Sequence, residues 1–153
     1  MKVMNPSLKA IYTSDEVRSR IGLLRRIVRD VVEAYERRRQ AKELYQEFVI
    51  ISRTIRSPEI EETINSLRNE LRDLDRYLDS YDKEIRELGG ILKDARRGVV
   101  YFYSEREGRK IFLIWELHEP EKISWHELDD TFSDRIPLES RHRGASASSR
   151  GRQ

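Results

Sequence analysis

The sequence predicts an α+β protein: a long antiparallel two-helix hairpin of coiled-coil character, a small antiparallel β-sheet at its open end, and a disordered C-terminal tail. Three observations predict it. Apolar residues at Ile60, Ile64, Leu67, Leu71, Leu74, Leu78, Tyr81, Ile85 and Leu88 alternate steps of four and three, the seam of a long helix. A second run of the same period lies just upstream, so the seam has a partner in its own chain. After Gly89-Gly90 the helical period gives way to short β-branched and aromatic runs.

In chain order, Met1 to Tyr12 reads as an extended lead-in, with Pro6 opposing regular structure. Thr13 and Glu16 then form a capping box: the Thr13 hydroxyl accepts from the Glu16 backbone N–H while the Glu16 carboxylate reaches back. Val17, Ile21, Leu24, Val28, Val31 and Tyr35 continue in steps of four and three, and Tyr45, Phe48 and Ile51 carry the apolar character onward. The first helix is expected over 14–52, about 58 Å at 1.5 Å per residue. Its middle, Arg37 to Lys42, is apolar only at Ala41, so packing there is expected to be thin.

Arg53 to Ser57 makes the turn. Ser57 suits the N-cap and Pro58 the first helical position, and Glu59, Glu61 and Glu62 crowd the positive end of a second helix over 58–88. Residues 14–52 hold nine Arg or Lys against seven Asp or Glu, and 58–88 hold five against ten, leaving +2 beside −5. Opposite signs flanking a seam favour this pairing, although each exposed pair contributes only about 0.2–1 kcal/mol.

The β-region is expected over 91–138. Ile91-Leu92 is a short apolar run, Ala95 to Gly98 a turn, and Val99 to Tyr103 and Ile111 to Leu117 two strands joined across the polar, Gly108-bearing stretch. Both faces of these strands are apolar, so the sheet needs two covers. One is the open end of the hairpin; the other is the segment Lys122 to Leu138 or a second subunit. Ile123 to His126 offers a third strand and Asp129 to Pro137 reads as loop. Residues 1–138 are thus expected to form one domain, since cores divide only above about 250 residues. From 139 to 153 the chain has four Arg, one Glu and no apolar periodicity, the composition of a disordered basic tail.

Composition excludes several function classes. Net charge is +2, so a globally basic nucleic-acid protein is not indicated. No run approaches the ~20 apolar residues of a membrane span, and no leader pattern opens the chain, so a cytoplasmic location is expected. Cys is absent, which removes disulfides and thiolate ligands. Few Asn and Gln beside many Arg and Glu point weakly to a thermophilic source. There is no Gly-rich phosphate loop and no Ser in a strand-to-helix elbow.

The polar groups at the ends of the expected strands are the candidates for chemistry: Asp94, Glu116, His118, Glu119, His126 and Glu127, with Arg135 beyond. Asp94, Glu119, His126, Glu127 and Arg135 would line a ligand pocket, with Trp115 and Trp125 stacking on a planar ligand, although tryptophan in a small sheet is core far more often. His118 and His126 with a carboxylate offer ligands for a divalent metal, but their spacing across Pro120 matches no recognised ligand pattern. The reading favoured over a metal ligand is a structural His126, buried beside Trp125 and held by a hydrogen bond to a carboxylate. No cofactor is required.

Several of these residues together resemble a known family. Leu88-Gly89-Gly90-Ile91-Leu92-Lys93-Asp94, Gly98-Val99-Val100, Gly108-Arg109-Lys110 with Trp115, and Trp125-His126-Glu127-Leu128 resemble the uncharacterised prokaryotic family DUF2203 (domain of unknown function). The resemblance spans about Tyr12 to Leu138, including the Tyr12-Thr13 opening and the closing Phe132, Arg135 and Pro137-Leu138. The family pattern has Val-Asp-Phe where this chain has Val100-Tyr101-Phe102, and Gly-Glu where it has His118-Glu119. The resemblance implies the fold and carries no activity.

Three functions follow as expectations. The first is an interaction or assembly protein that associates with itself as a homodimer. The second is a ligand- or metal-binding protein, possible as an enzyme, with a pocket at Trp125-His126. The third is contact with RNA or the ribosome through Arg37, Arg38, Arg39 and the Arg141–Arg152 tail.

Overall fold

A computed structural model describes residues 11–138. The expected tail over 139–153 and most of the lead-in lie outside the described residues. Helix α1 is Ser14–Ser52 and α2 is Pro58–Glu87. Both start as the sequence requires. Thr13 Oγ1 accepts from the Glu16 N–H at 3.1 Å while Glu16 Oε1 accepts from the Thr13 N–H at 2.9 Å, and Ser57 Oγ accepts from the Ile60 N–H. Leu88 caps α2, and Gly89 follows at φ 94°, where a side chain would be strained and a Cβ would strike the Tyr12 ring.

The α2 seam is the expected one, every position from Ile60 to Leu88 being buried or half-buried. The α1 seam needs correction. Tyr35 and Ile51 are 36% and 40% exposed, and Ile27, Ala34 and Ala41 are buried in the positions that face inward. Tyr35 lies one residue past buried Ala34 and Ile51 one residue short of half-buried Ser52, each about 100° around the helix from the inward position. Through the thin middle the helices are tied by charge: Arg38 Nε lies 2.5 Å from Asp75 Oδ1, and Arg37 Nη2 lies 3.9 Å from Glu70 Oε2.

Beyond Gly90 the chain forms a five-stranded antiparallel meander: β1 Ile91–Asp94, β2 Val99–Arg106, β3 Arg109–Glu116, β4 Ser124–Glu127 and β5 Ile136–Pro137, ordered β1-β2-β3-β4-β5. The run expected as loop between Asp129 and Pro137 contains a 3₁₀ turn, Phe132–Asp134, and the short β5. Ahead of α1, the Tyr12 N–H donates to the Tyr103 carbonyl at 2.8 Å, and the Ser104 hydroxyl donates to the Tyr12 carbonyl at 2.5 Å.

Alternation divides the sheet residues between two layers. Val100, Phe102, Ile111, Leu113 and Trp115 face the hairpin and join Tyr12, Val17, Leu24, Val28, Val31 and Ile85 in the main core. Val99, Tyr101 and Ile114 face outward and pack with Ile91, Phe112 and Phe132. The second cover of the sheet is therefore supplied at least in part by the chain itself, through Phe132. Among the described residues no helix is long and apolar enough to cross a membrane.

Candidate functional site

Two regions carry groups that the packing of the fold does not account for at once: the outer face of the sheet and the far tip of the hairpin. On the outer face, β3 and β4 set Phe112 opposite His126, and β2 sets Tyr101 opposite Ile114. This brings His126, 2% exposed, against Tyr101, with ring centroids 5.2 Å apart and the His126 Nε2 3.0 Å from the Tyr101 hydroxyl. His126 Nδ1 lies 2.6 Å from the Glu127 carbonyl oxygen. A carbonyl only accepts, so Nδ1 carries the proton and Nε2 accepts from the Tyr101 O–H.

Burial holds the His126 imidazole below its ordinary pKa and pushes the Tyr101 phenol above its own. Both shifts favour the neutral forms, so the pair is a satisfied polar contact inside an aromatic layer. Phe112 completes that layer at 4.9 Å from Tyr101, and the Lys93 ammonium lies 5.3 Å from the Tyr101 ring centroid. The hydrogen-bond partners of His126 are thus a phenol and a backbone carbonyl instead of the expected carboxylate.

Phe132 sits between two cations, with the Arg135 guanidinium 3.8 Å and that of Arg97 4.8 Å from its ring centroid. Arg135 also lies 3.6 Å from Glu116 Oε1, a buried oxygen with no hydrogen bond of its own. This ion pair ties the 3₁₀ turn to the end of β3.

The remaining sequence candidates disperse. Trp125 and His126 are neighbours on a strand, so alternation sends them to opposite faces and they do not line one cavity. Trp125 packs against the main core under the Arg106 guanidinium, 4.6 Å from its ring. Trp115 is wholly buried and donates its Nε1–H to the Pro120 carbonyl at 3.0 Å. Asp94 Oδ1 accepts from the Arg96 and Arg97 N–H groups, which closes the turn after β1. Glu119 lies 3.6 Å from Lys122, and Glu127 pairs with Arg109. His118 is exposed in the β3–β4 connection, two residues past the end of β3, whereas His126 pairs with Phe112, four residues back from that end. Among the described residues no group of three or more His, Asp or Glu side chains is placed to hold a metal ion.

The hairpin tip is different in kind. Leu44, Ile50, Ile51 and Ile55 are 43%, 59%, 40% and 56% exposed, and Phe48, Val49 and Ile60 beside them are half-buried. Elsewhere on the helices Leu23, Tyr35 and Tyr77 are also exposed. The three arginines weighed for RNA contact all face carboxylates: Arg37 toward Glu70, Arg38 on Asp75, and Arg39 between Glu36 and Glu43. Leu44 and Ile50 were open to detection in the sequence, as apolar residues off the four-three seam. Ile55 was concealed by its place in the turn.

A family model described as "Uncharacterized conserved protein (DUF2203)" matches residues 10–138. No curated protein and no solved structure matches the chain.

Proposed function

We propose that this chain, which belongs to the uncharacterised conserved family DUF2203, is an interaction protein that associates with a second copy of itself through the tip of its helical hairpin. The observation that carries the reading is the exposure of three aliphatic residues, Leu44, Ile51 and Ile55, with half-buried Phe48 among them, at the end of a helix pair remote from the sheet. The α2 helix of 30 residues holds that tip about 45 Å from the sheet end, at 1.5 Å per residue. A contiguous apolar patch in such a place marks a docking surface more often than a packing accident.

Charge favours a second copy as the occupant. The turn carries Arg53 and Arg56, and the first turns of α2 carry Glu59, Glu61 and Glu62, so two tips present opposite charges to each other. The magnitude is modest. Full burial of an aliphatic side chain contributes ~1.5–3 kcal/mol, and with about half of each already covered, each residue adds ~1 kcal/mol. Eight residues from two tips contribute ~8 kcal/mol in all, and an association cost of ~4 kcal/mol leaves ~4 kcal/mol, a dissociation constant of ~1 mM.

Sedimentation velocity of the full chain from ~10 µM to ~1 mM is the test. A dimer that grows with concentration, and that Ile51→Glu with Ile55→Glu disperses while circular dichroism is unchanged, supports the reading. A monomer throughout that range overturns it.

A further inference from the structure

The tip carries more than apolar area; its spacing encodes a register. Helix α1 ends at Ser52, and the Ile55 N–H donates to the Ile51 carbonyl at 2.9 Å, so one closing turn carries the chain on to Ile55. Along that path Leu44, Phe48, Ile51 and Ile55 step by four, three and four, which places them on one stripe. Leu44, Ile51 and Ile55 are 40–56% exposed and Phe48 is half-buried, so the stripe runs beside the α1–α2 seam instead of within it. Ile50 lies off the stripe, on another side of the helix.

We infer that two copies join with their α1 tips antiparallel about a two-fold axis between residues 49 and 50. This rests on the self-association proposed above and specifies its geometry. In that register Leu44 meets Ile55 of the other copy and Phe48 meets Ile51, so every member of the stripe faces another member. The flanking residues bring no like charges together: Glu43 comes toward Arg56 in the turn after α1, Gln46 opposite Arg53, and Glu47 opposite Ser52. A parallel arrangement sets Glu43 beside Glu43, Glu47 beside Glu47 and Arg56 beside Arg56, which is repulsive at three positions. The isologous arrangement also closes on itself, since each copy uses one patch once. It leaves the two sheets at opposite ends of the dimer.

The absence of cysteine from the chain makes the register directly readable. Leu44→Cys and Ile55→Cys are prepared as separate full-length variants and oxidised alone and as an equimolar mixture. The expected result is a covalent dimer in the mixture and none from either variant alone. Like positions lie eleven residues apart along the shared axis, about 16 Å, whereas a disulfide needs Cα atoms within ~7 Å. A covalent dimer from a single variant, or none from the mixture, overturns the register. A second measurement uses Ile50→Glu, which is expected to leave the sedimenting dimer unchanged while Ile51→Glu disperses it; equal loss from both overturns the stripe. The two failures are distinct. A chain that never dimerises sinks the tip reading itself, whereas a dimer with the wrong crosslinks sinks only the antiparallel geometry.

Discussion

The Tyr101–His126 pair gives the sharpest test of whether the outer face of the sheet is a site or a piece of architecture. Tyr101→Phe removes one oxygen and leaves the ring, so the contacts with Phe112 at 4.9 Å, His126 at 5.2 Å and Lys93 at 5.3 Å all persist. What changes is His126 Nε2. With Nδ1–H committed to the Glu127 carbonyl, Nε2 is left as an acceptor without a donor in a residue 2% exposed. A buried acceptor stripped of its partner costs ~1–3 kcal/mol, and that is the expected loss. Urea unfolding should show it as a lower midpoint at unchanged slope. His126→Leu, which removes the acceptor as well, should make a following Tyr101→Phe nearly neutral, so the two changes couple by at least ~0.5 kcal/mol. A loss below ~0.5 kcal/mol for Tyr101→Phe, or nitrogen chemical shifts that place the imidazole proton on Nε2, would refute the assignment. Because the pair lies far from the tip, the variant should also sediment as the parent does. Loss of the dimer on Tyr101→Phe would mean that the outer face, and not the tip, is the docking surface.

Other predictions follow from the same contacts. The His126 pKa is depressed in the fold below its ordinary 6.5, so the unfolded chain binds the proton more readily; its contribution to stability is full above pH 6.5 and is lost as pH falls below that value, a dependence that His126→Leu should remove from urea midpoints. Gly98→Ala should destabilise by more than ~1 kcal/mol, because φ is 77° and the new Cβ would lie 2.9 Å from Val28 Cγ1 and 3.0 Å from Leu117 Cβ; thermal melting reads this, and an unchanged midpoint would contradict the close helix–sheet approach. Thr13→Ala breaks the capping box and should cost ~0.5–2 kcal/mol by urea titration. A double-mutant cycle on Arg38 and Asp75, 33% and 53% exposed, should give a coupling of only ~0.2–1 kcal/mol that fades with salt; a larger value would mean the pair matters more to hairpin stability than its exposure implies.

How much of this was legible in the sequence depended on whether a feature is local or set by register. The Thr13–Glu16 box, the Ser57-Pro58 start and the α2 seam are local, and the structure has them where periodicity and capping chemistry place them. Strands β1 and β5, four and two residues long, leave almost no periodic trace; their existence is decided by pairing with β2 and β4. Tyr101 and His126 stand 25 residues apart and meet only because two hairpin connections fix the registers of β2, β3 and β4. No spacing rule announces such a pair, and reading Trp125-His126 as one pocket set aside the two-residue alternation that separates them.

The α1 seam carries the most functional weight among these differences. Pattern alone assigns Ile51 to the intramolecular seam, yet the structure leaves it 40% exposed while the small residues Ala34 and Ala41 occupy buried positions. Alanines let α1 approach α2 closely without a large side chain between them, and the bulky residues near the tip are left beside the seam. An aliphatic residue that keeps helical spacing with its neighbours but is not used by its own fold still lowers free energy if something else covers it. Leu44, Ile51 and Ile55 share both properties, whereas Ile50 has the exposure without the spacing. That difference is why the tip points to a partner helix of matching period, and why Ile50 serves as the control that separates a specific stripe from general stickiness.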